Sequence, residues 1–520
     1  MNRALAIKKI GEDQNWDVVV IGGGATGLGA AIDAATRGYK TLLLEQHDFT
    51  KGTSSRSTKL VHGGVRYLAQ GNISLVMEAL RERGLMYRNA PHLVTDVSFL
   101  IPSFSWWSVP FYTIGLTLYD VLAGRLGFGR SLPQSRNTTI KKIPTVEKHG
   151  LRGSVLYHDG QFDDARMGIN MVQTLHEQGG LALNYCKVED LLKSGGKISG
   201  VVARDQETGK EYTINTRCVI NATGIFVDEV LKKDNPNARE IIKISQGVHI
   251  VLDKSFLPSK YGMMIPKTKD GRVIFAVPWH DKVILGTTDI PKDLALEEPL
   301  VTDEEIDFIL ETACRYLAKK PTRADVQSVY AGLRPLAAGK TDSAKTSEIS
   351  RGHKIYTSES GLVTIIGGKW TTYRQMAEDV VNKAVLAAKL PAVKSSTRKL
   401  HIHGYKENPD TRDPMYFYGS DKEKIMELAA QEKELGTIVS EKFNIIAAQV
   451  IWACRYEYAR NVEDILARRI RVLIMDAEES IRIAPAIASI MAREFSYDKS
   501  WEKDQVEQYS QIAKQYMISS

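Results

Sequence analysis

Cysteine is scarce in this chain of 520 residues: Cys186, Cys218, Cys314 and Cys454 stand far apart, with no C-x-x-C pair among them. That spacing excludes a paired-cysteine zinc site and a thioredoxin-like redox motif, and it suits a reducing, intracellular compartment. His401 and His403 form "HIH" without a second ligand pair nearby, so no metal site is assigned. Low-complexity tracts are missing, and 43% hydrophobic with 25% charged residues is globular composition, which excludes disorder except at the tails. The N-terminus lacks the apolar run of a signal peptide. The most apolar stretch, "SWWSVPFYTIGLTLYDVLAG" (105–124), carries Pro110 and Asp120, which argues against a spanning helix. Its aromatic residues suit buried packing or, as the second choice, a lipid interface. The net charge of +7 is spread along the chain rather than gathered in a basic stripe, which speaks against nucleic acid. A mild excess is compatible with anionic lipids or phosphorylated metabolites.

What is present begins with "WDVVVIGGGATGLGAAIDAATRGYKTLLLEQ". A β-branched run predicts a buried parallel strand, glycines supply a turn, a helix follows, and "KTLLLE" predicts a second strand. Gly22, Gly24 and Gly27 form G-x-G-x-x-G: the tight turn, the close approach to a pyrophosphate and the helix–strand contact. The helix N-terminus favours phosphate. Glu45 ends the second strand, where a carboxylate accepts ribose hydroxyls and repels a 2′-phosphate. Two later segments repeat the junction: "TRCVINATGIFVDEVL" (216–231), with Gly224, and "GLVTIIGGKWTTYRQMAEDVVNKAV" (361–385), with Gly368. Three junctions spread over the chain suit a long, two-headed cofactor enclosed by one discontinuous domain.

The blocks "GGGATGLGAA", "TSSRSTKLVHGGVRYL", "NATG", "GVHIVL", "LGTTD", "AGLRPL" and "IGGKWTTYRQMAED" resemble, in order, the FAD-dependent glycerol-3-phosphate dehydrogenases, within the wider D-amino-acid-oxidase-like flavoproteins. The likeness runs over residues 16 to 475. It implies FAD as cofactor, sn-glycerol 3-phosphate oxidised at C2 to dihydroxyacetone phosphate, and a membrane quinone as final acceptor. It also implies a cytoplasmic protein peripheral on the inner face of the cell membrane.

On that likeness Thr53, Ser54, Ser55 and Lys59 are expected to wrap the cofactor, and His62, Gly63 and Gly64 to pass close to the flavin. Arg66 and Tyr67 are expected to hold the substrate phosphate. Oxidising a secondary alcohol requires removal of the hydroxyl proton, so a general base is needed. His249 is the candidate: Val248, Ile250 and Leu252 alternate with Gly247 and His249, which places the histidine on a glycine-lined face. Arg334, before a proline, offers a planar fork to phosphate or a developing alkoxide. Lys369 and Thr372 stand at the start of the last helix, near flavin and substrate alike by resemblance. "LGTTD" (285–289) is expected to shape the substrate sheet and is assigned no chemistry.

The expected architecture is an α/β fold, with an FAD-binding Rossmann-like domain, a mixed-sheet substrate domain and a C-terminal all-α domain. Residues 1–400 are expected to form the oxidoreductase region. Its cofactor parts lie near 16–100, 151–235 and 330–395, and its substrate parts near 101–150 and 236–329. Residues 401–520 are expected to be helical and separate. In "EYARNVEDILARRIRVLIM", Arg468, Arg469 and Arg471 fall off the apolar face, which leaves packing, homodimerisation or lipid contact open, with packing the default. The rival readings are a glycerol-3-phosphate oxidase using oxygen, an amine or amino-acid oxidase on the same fold, and a non-catalytic flavin-binding sensor.

Overall fold

The computed structural model describes residues 3–12, 15–69, 71–266, 268, 271–338 and 352–518. Strand Asn15–Ile21, whose valines are fully buried, lies at the centre of an eight-stranded sheet. It pairs in parallel with Thr41–Leu44 on one side and Glu211–Asn221 on the other, and Val363–Gly367 follows outside the latter. Ile21, Leu44, Asn221 and Gly367 therefore end at one edge, the carboxyl edge at which open α/β sheets bind ligands. Helices Ala25–Thr36 and Tyr373–Ala387 pack against each other on this sheet at Gly29, whose ideal Cβ would stand 3.2 Å from that of Ala377.

The second sheet has ten strands and is mixed. Its longest ladder joins Ile242–Asp253 to Val326–Ala337, antiparallel, with Ser245 opposite Arg334 and His249 opposite Tyr330. Val248, Ile250 and Leu252 face a core shared with helix Asp303–Tyr316, while Gly247 and His249 line a cavity. The predicted alternation is present.

Two expectations change. Strands Val94–Ser103, Gly153–Phe162 and Val326–Ala337 all belong to the second sheet, so the expected cofactor parts were drawn too wide. Apolar runs look alike in either sheet, and long-range pairing decides membership. The C-terminal region is mainly helical, as expected, but not without a short ribbon, Ile438–Ser440 paired with Ile445–Ile446. Nor is it separate, because Val450, Ile465, Leu473 and Ile487 share one core with Phe99, Tyr157 and Val251 of the second sheet.

The stretch around "NVEDILARRIRV" forms no single amphipathic helix. Asp464–Arg469 makes a π-helical turn, Arg471 sits at φ 63°, and a short helix Val472–Met475 follows. The arginines expected off the apolar face are all buried. Arg469 donates to both carboxylate oxygens of Asp48, at 2.6 and 2.8 Å, Arg468 donates to Asp48, Glu463 and Asp464, and Arg471 donates to Asp164 at 2.9 Å. Through Asp48, after first-sheet strand Thr41–Leu44, and Asp164, after second-sheet strand Gly153–Phe162, these ion pairs tie the C-terminal region to both sheets. They leave the three guanidinium groups no surface to offer lipid.

Candidate active site

The first-sheet edge forms a cleft lined by Gly22, Gly24, Glu45, Thr53, Ser54, Gly224, Gly368 and Lys369. Gly22 stands at φ +108°, and a Cβ at Gly27 would lie 1.9 Å from the Gly22 carbonyl oxygen. The turn and the close helix contact therefore both need glycine. Ser54 Oγ accepts from Ala25 N–H at 2.9 Å, at the N-terminus of helix Ala25–Thr36. Glu45 accepts from Gly23 N–H at 2.6 Å and His47 N–H at 2.8 Å. Burial pushes its carboxyl above the ordinary range, against the pull of those amides. A helix N-terminus, a glycine turn and an acid at the second strand end fit a dinucleotide such as FAD.

A second cavity of about 760 Å³ abuts the first, and Thr53, Pro335, Gly368, Lys369 and Trp370 line both. His62, Gly64, Tyr67, His249, Arg334 and Lys369 all line the second. His249 is buried on its strand, with Nε2 2.8 Å from Thr58 Oγ1 and its ring stacked on Tyr330 at 4.7 Å. Burial first, then the Arg334 and Lys59 cations, push the imidazole well below its ordinary range, so it is neutral at pH 7. Arg334 donates to the Thr288 carbonyl at 3.2 Å and Thr287 Oγ1 at 3.1 Å, and stands 3.4 Å from Asp289. It fills the space beside Gly247, where a Cβ would meet its Nη2 at 2.1 Å. "LGTTD" thus aims the guanidinium, a role its residue types did not reveal. Lys369 Nζ lies over the Tyr67 ring, 4.1 Å from its centroid.

Other predicted residues are placed differently. Lys59 lines neither cavity: its ammonium donates to both oxygens of Asp164, at 2.8 and 2.7 Å, and to the Ser55 carbonyl at 2.8 Å. Burial alone would raise the Asp164 carboxyl, and Lys59 with Arg471 overcomes this and holds it low. Ser55 is buried away from both cavities. Thr372 donates to the Lys369 carbonyl at 3.2 Å, and its neighbour Thr371 lines the cavity instead. Gly63 lines neither cavity, and its N–H donates to Tyr119 Oη at 2.7 Å. Arg66 lies in the short helix Val65–Ala69, and its side chain lies outside the described residues. Thr58, Asp159 and Trp370 line the cavity without having been singled out. For Thr58 no local signal exists, since "SRSTK" offers several equivalent hydroxyls.

Residues 17–374 match the family described as FAD dependent oxidoreductase, and residues 362–502 match the C-terminal domain of alpha-glycerophosphate oxidase. Mitochondrial glycerol-3-phosphate dehydrogenase of Bos taurus is 38% identical over 97% of this chain and 74% of its own. That of Saccharomyces cerevisiae is 36% identical over 96% of this chain and 90% of its own. Among solved structures, the glycerol-3-phosphate dehydrogenase of Bacillus halodurans complexed with FAD superposes with a TM-score of 0.80 at 30% identity, covering 99% of this chain and 97% of that one. L-alpha-glycerophosphate oxidase from Mycoplasma pneumoniae, at 16% identity and a TM-score of 0.56 over 74% of this chain and 97% of that one, shares the fold.

Proposed function

Because the chain belongs to the FAD-dependent oxidoreductases, in the glycerol-3-phosphate dehydrogenase group, we propose that it oxidises sn-glycerol 3-phosphate at C2 to dihydroxyacetone phosphate and passes the electrons to a membrane quinone. The observation that carries this reading is a neutral, buried His249 in one chamber with Arg334 and Lys369, directly against the dinucleotide cleft. FAD, when bound, supplies the hydride acceptor for C2 and the route for electrons to a second acceptor.

His249, held neutral, is able to take the proton of the C2 hydroxyl. Arg334 is held by Thr287, Thr288 and Asp289 before any ligand arrives, so its fork is preorganised for phosphate or for the alkoxide that develops at O2. Lys369, at the junction of the two cavities, adds a second cation for a dianionic substrate. Tyr67 and the short helix that carries Arg66 close the same end.

The apolar end of the chamber supports the quinone. Phe111, Ile114 and Leu118 line the cavity and are also solvent-exposed along helix Ser108–Ala123. Trp106 and Trp107 precede that helix, Trp107 being 83% exposed, and Arg152 lies over the Trp106 ring at 4.7 Å. An apolar helix face with tryptophans and a cation at its border suits the lipid interface. Among the described residues no helix is long and apolar enough to cross a membrane. Peripheral attachment through this helix, on the inner face of the cell membrane, follows as part of the proposal.

With FAD-loaded protein kept free of oxygen, added glycerol 3-phosphate is expected to bleach the flavin absorption promptly. A short-chain quinone then restores it faster than air does. Bleaching with faster recovery in air would make the protein an oxidase. No bleaching at all would remove the substrate and return amino acids as donors.

A further inference from the structure

One short segment of the second sheet is held by side chains rather than by a ladder. Gly286 pairs with His249 and Ile290 with Gln246, so three residues, Thr287 to Asp289, stand opposite two, Gly247 and Val248. The extra residue makes this a bulge, a device that frees backbone groups and re-aims side chains beside a site. Val248 N–H donates to Thr288 Oγ1 at 2.9 Å, in place of a ladder carbonyl. The Thr288 carbonyl accepts from Arg334 Nη1 at 3.2 Å and from Nη2 at 3.3 Å. Arg334 starts from the strand on the other flank, opposite Ser245, and reaches the bulge over Gly247. A Cβ at Gly247 would stand 2.1 Å from Nη2 and 2.6 Å from Thr287 Oγ1. The arginine side chain keeps 23% of its surface exposed and lines the chamber, where an anion can reach it.

What fixes the bulge lies on the face of the sheet away from the chamber. The Thr288 hydroxyl carries one proton and donates it to Glu305 Oε1 at 2.8 Å, which leaves its lone pair for Val248 N–H. Glu305 is 1% exposed and stands in the first turn of helix Asp303–Tyr316. Its Oε2 accepts from Gln246 Nε2 at 2.7 Å, and the same nitrogen donates to the Leu300 carbonyl at 3.0 Å. Glu305 lines neither cavity. A buried acid is costly unless its hydrogen bonds are made. Here they go to the bulge and to the strand that faces it.

We propose that Glu305 is the positioning residue of Arg334. It holds the Thr288 hydroxyl as a donor, that hydroxyl holds Val248, and the bulge so fixed presents the Thr288 carbonyl as the anchor of the guanidinium. The fork is thereby set at the chamber wall before an anion arrives. This rests on Arg334 meeting the substrate anion, as proposed above.

Glu305→Gln keeps the shape, but its amide nitrogen must face Thr288 or Gln246, both of which donate to the acid, so one contact is lost or reversed. The test is a double-mutant cycle on kcat/KM for glycerol 3-phosphate in FAD-loaded protein: wild type, Glu305→Gln, Arg334→Ala and both together. Alone, Glu305→Gln is expected to lower kcat/KM about tenfold with FAD content unchanged. In the Arg334→Ala background the same change is expected to lower it about twofold or less. A merely structural role would lower both backgrounds alike. An equal loss in both, or a Glu305→Gln kcat/KM within about twofold of wild type, would overturn the proposal. If Glu305→Gln fails to fold, Thr288→Val, which deletes the hydroxyl between Glu305 and Val248, goes through the same cycle with the same expectations. Near-normal kcat/KM of Arg334→Ala, or no bleaching of the wild-type flavin by glycerol 3-phosphate, would remove the premise. Either result is distinct from an essential Arg334 with an indifferent Glu305.

Discussion

The molecule holds two groups of cations, one buried and one half-buried at a cavity wall, and they differ in what faces them. Lys59, Arg468, Arg469 and Arg471 meet Asp164, Asp48, Glu463 and Asp464, with nearly every donor directed at a carboxylate or carbonyl. Arg334 and Lys369 line the chamber, the first steadied mainly by threonine oxygens and the second laid over a tyrosine ring. A cation matched by buried carboxylates joins pieces of the fold, because its charge is already neutralised where water is absent. A cation at a cavity wall can in addition be reached by an incoming anion.

Removing the shared carboxylate should break the first group outright. Asp164→Ala leaves Lys59 and Arg471 without their main partner, and urea unfolding is expected to register a loss of about 3–5 kcal/mol. A loss below about 1 kcal/mol would mean that water compensates and that the two groups are not distinct. Arg334→Ala should spare stability and FAD content while kcat/KM for glycerol 3-phosphate falls about 10²–10³-fold. Release of FAD from that variant would reassign Arg334 to the cofactor. The sharpest contrast pairs two lysines. Lys369→Met is expected to raise KM about tenfold with little change in unfolding. Lys59→Met is expected to lower stability by about 1–3 kcal/mol with KM nearly unchanged.

The smallest effect tests a third kind of cation. His403 lies between Glu177 Oε1 at 2.5 Å and Asp421 Oδ2 at 2.7 Å, bridging helix Asp164–Glu177 to the C-terminal helix Asp421–Gln431. Burial would lower its pKa, but the two carboxylates win and raise it to about 9. A folded pKa above the unfolded value means that its contribution is complete below about pH 6.5 and is lost as pH rises through about 9. Thermal unfolding should show wild type losing stability over that window and His403→Gln losing less. Parallel curves would remove the imidazolium bridge.

Much of the cofactor site was legible because it rests on short-range backbone constraints. A strand, a turn at φ +108° and a helix whose Cβ at Gly27 would stand 1.9 Å from the Gly22 carbonyl oxygen demand glycine at both positions at fixed spacing, and Glu45 follows one strand later. The alternation that aims His249 into the chamber is local too. Lys59 was misread because its neighbours in the chain, hydroxyls and glycines, describe a ligand loop, whereas its true partner is Asp164, more than a hundred residues away. The C-terminal arginines were misread for a related reason: helical periodicity reports which residues leave one face, and it says nothing of carboxylates brought in by other elements.

By itself, then, the sequence determined the dinucleotide cleft, the order of its three strand–glycine–helix junctions and the alternation that turns His249 into the chamber. Each is encoded in spacings of a few residues, over which backbone sterics and dipoles act. Tertiary structure decided which sheet each strand joined, which cations were buried against carboxylates and which lined the chamber. It also decided that Thr58, 191 residues distant in the chain, meets His249. Those outcomes depend on strand register and on the pairing of charges away from water, interactions that strengthen as solvent is excluded and that no local pattern carries.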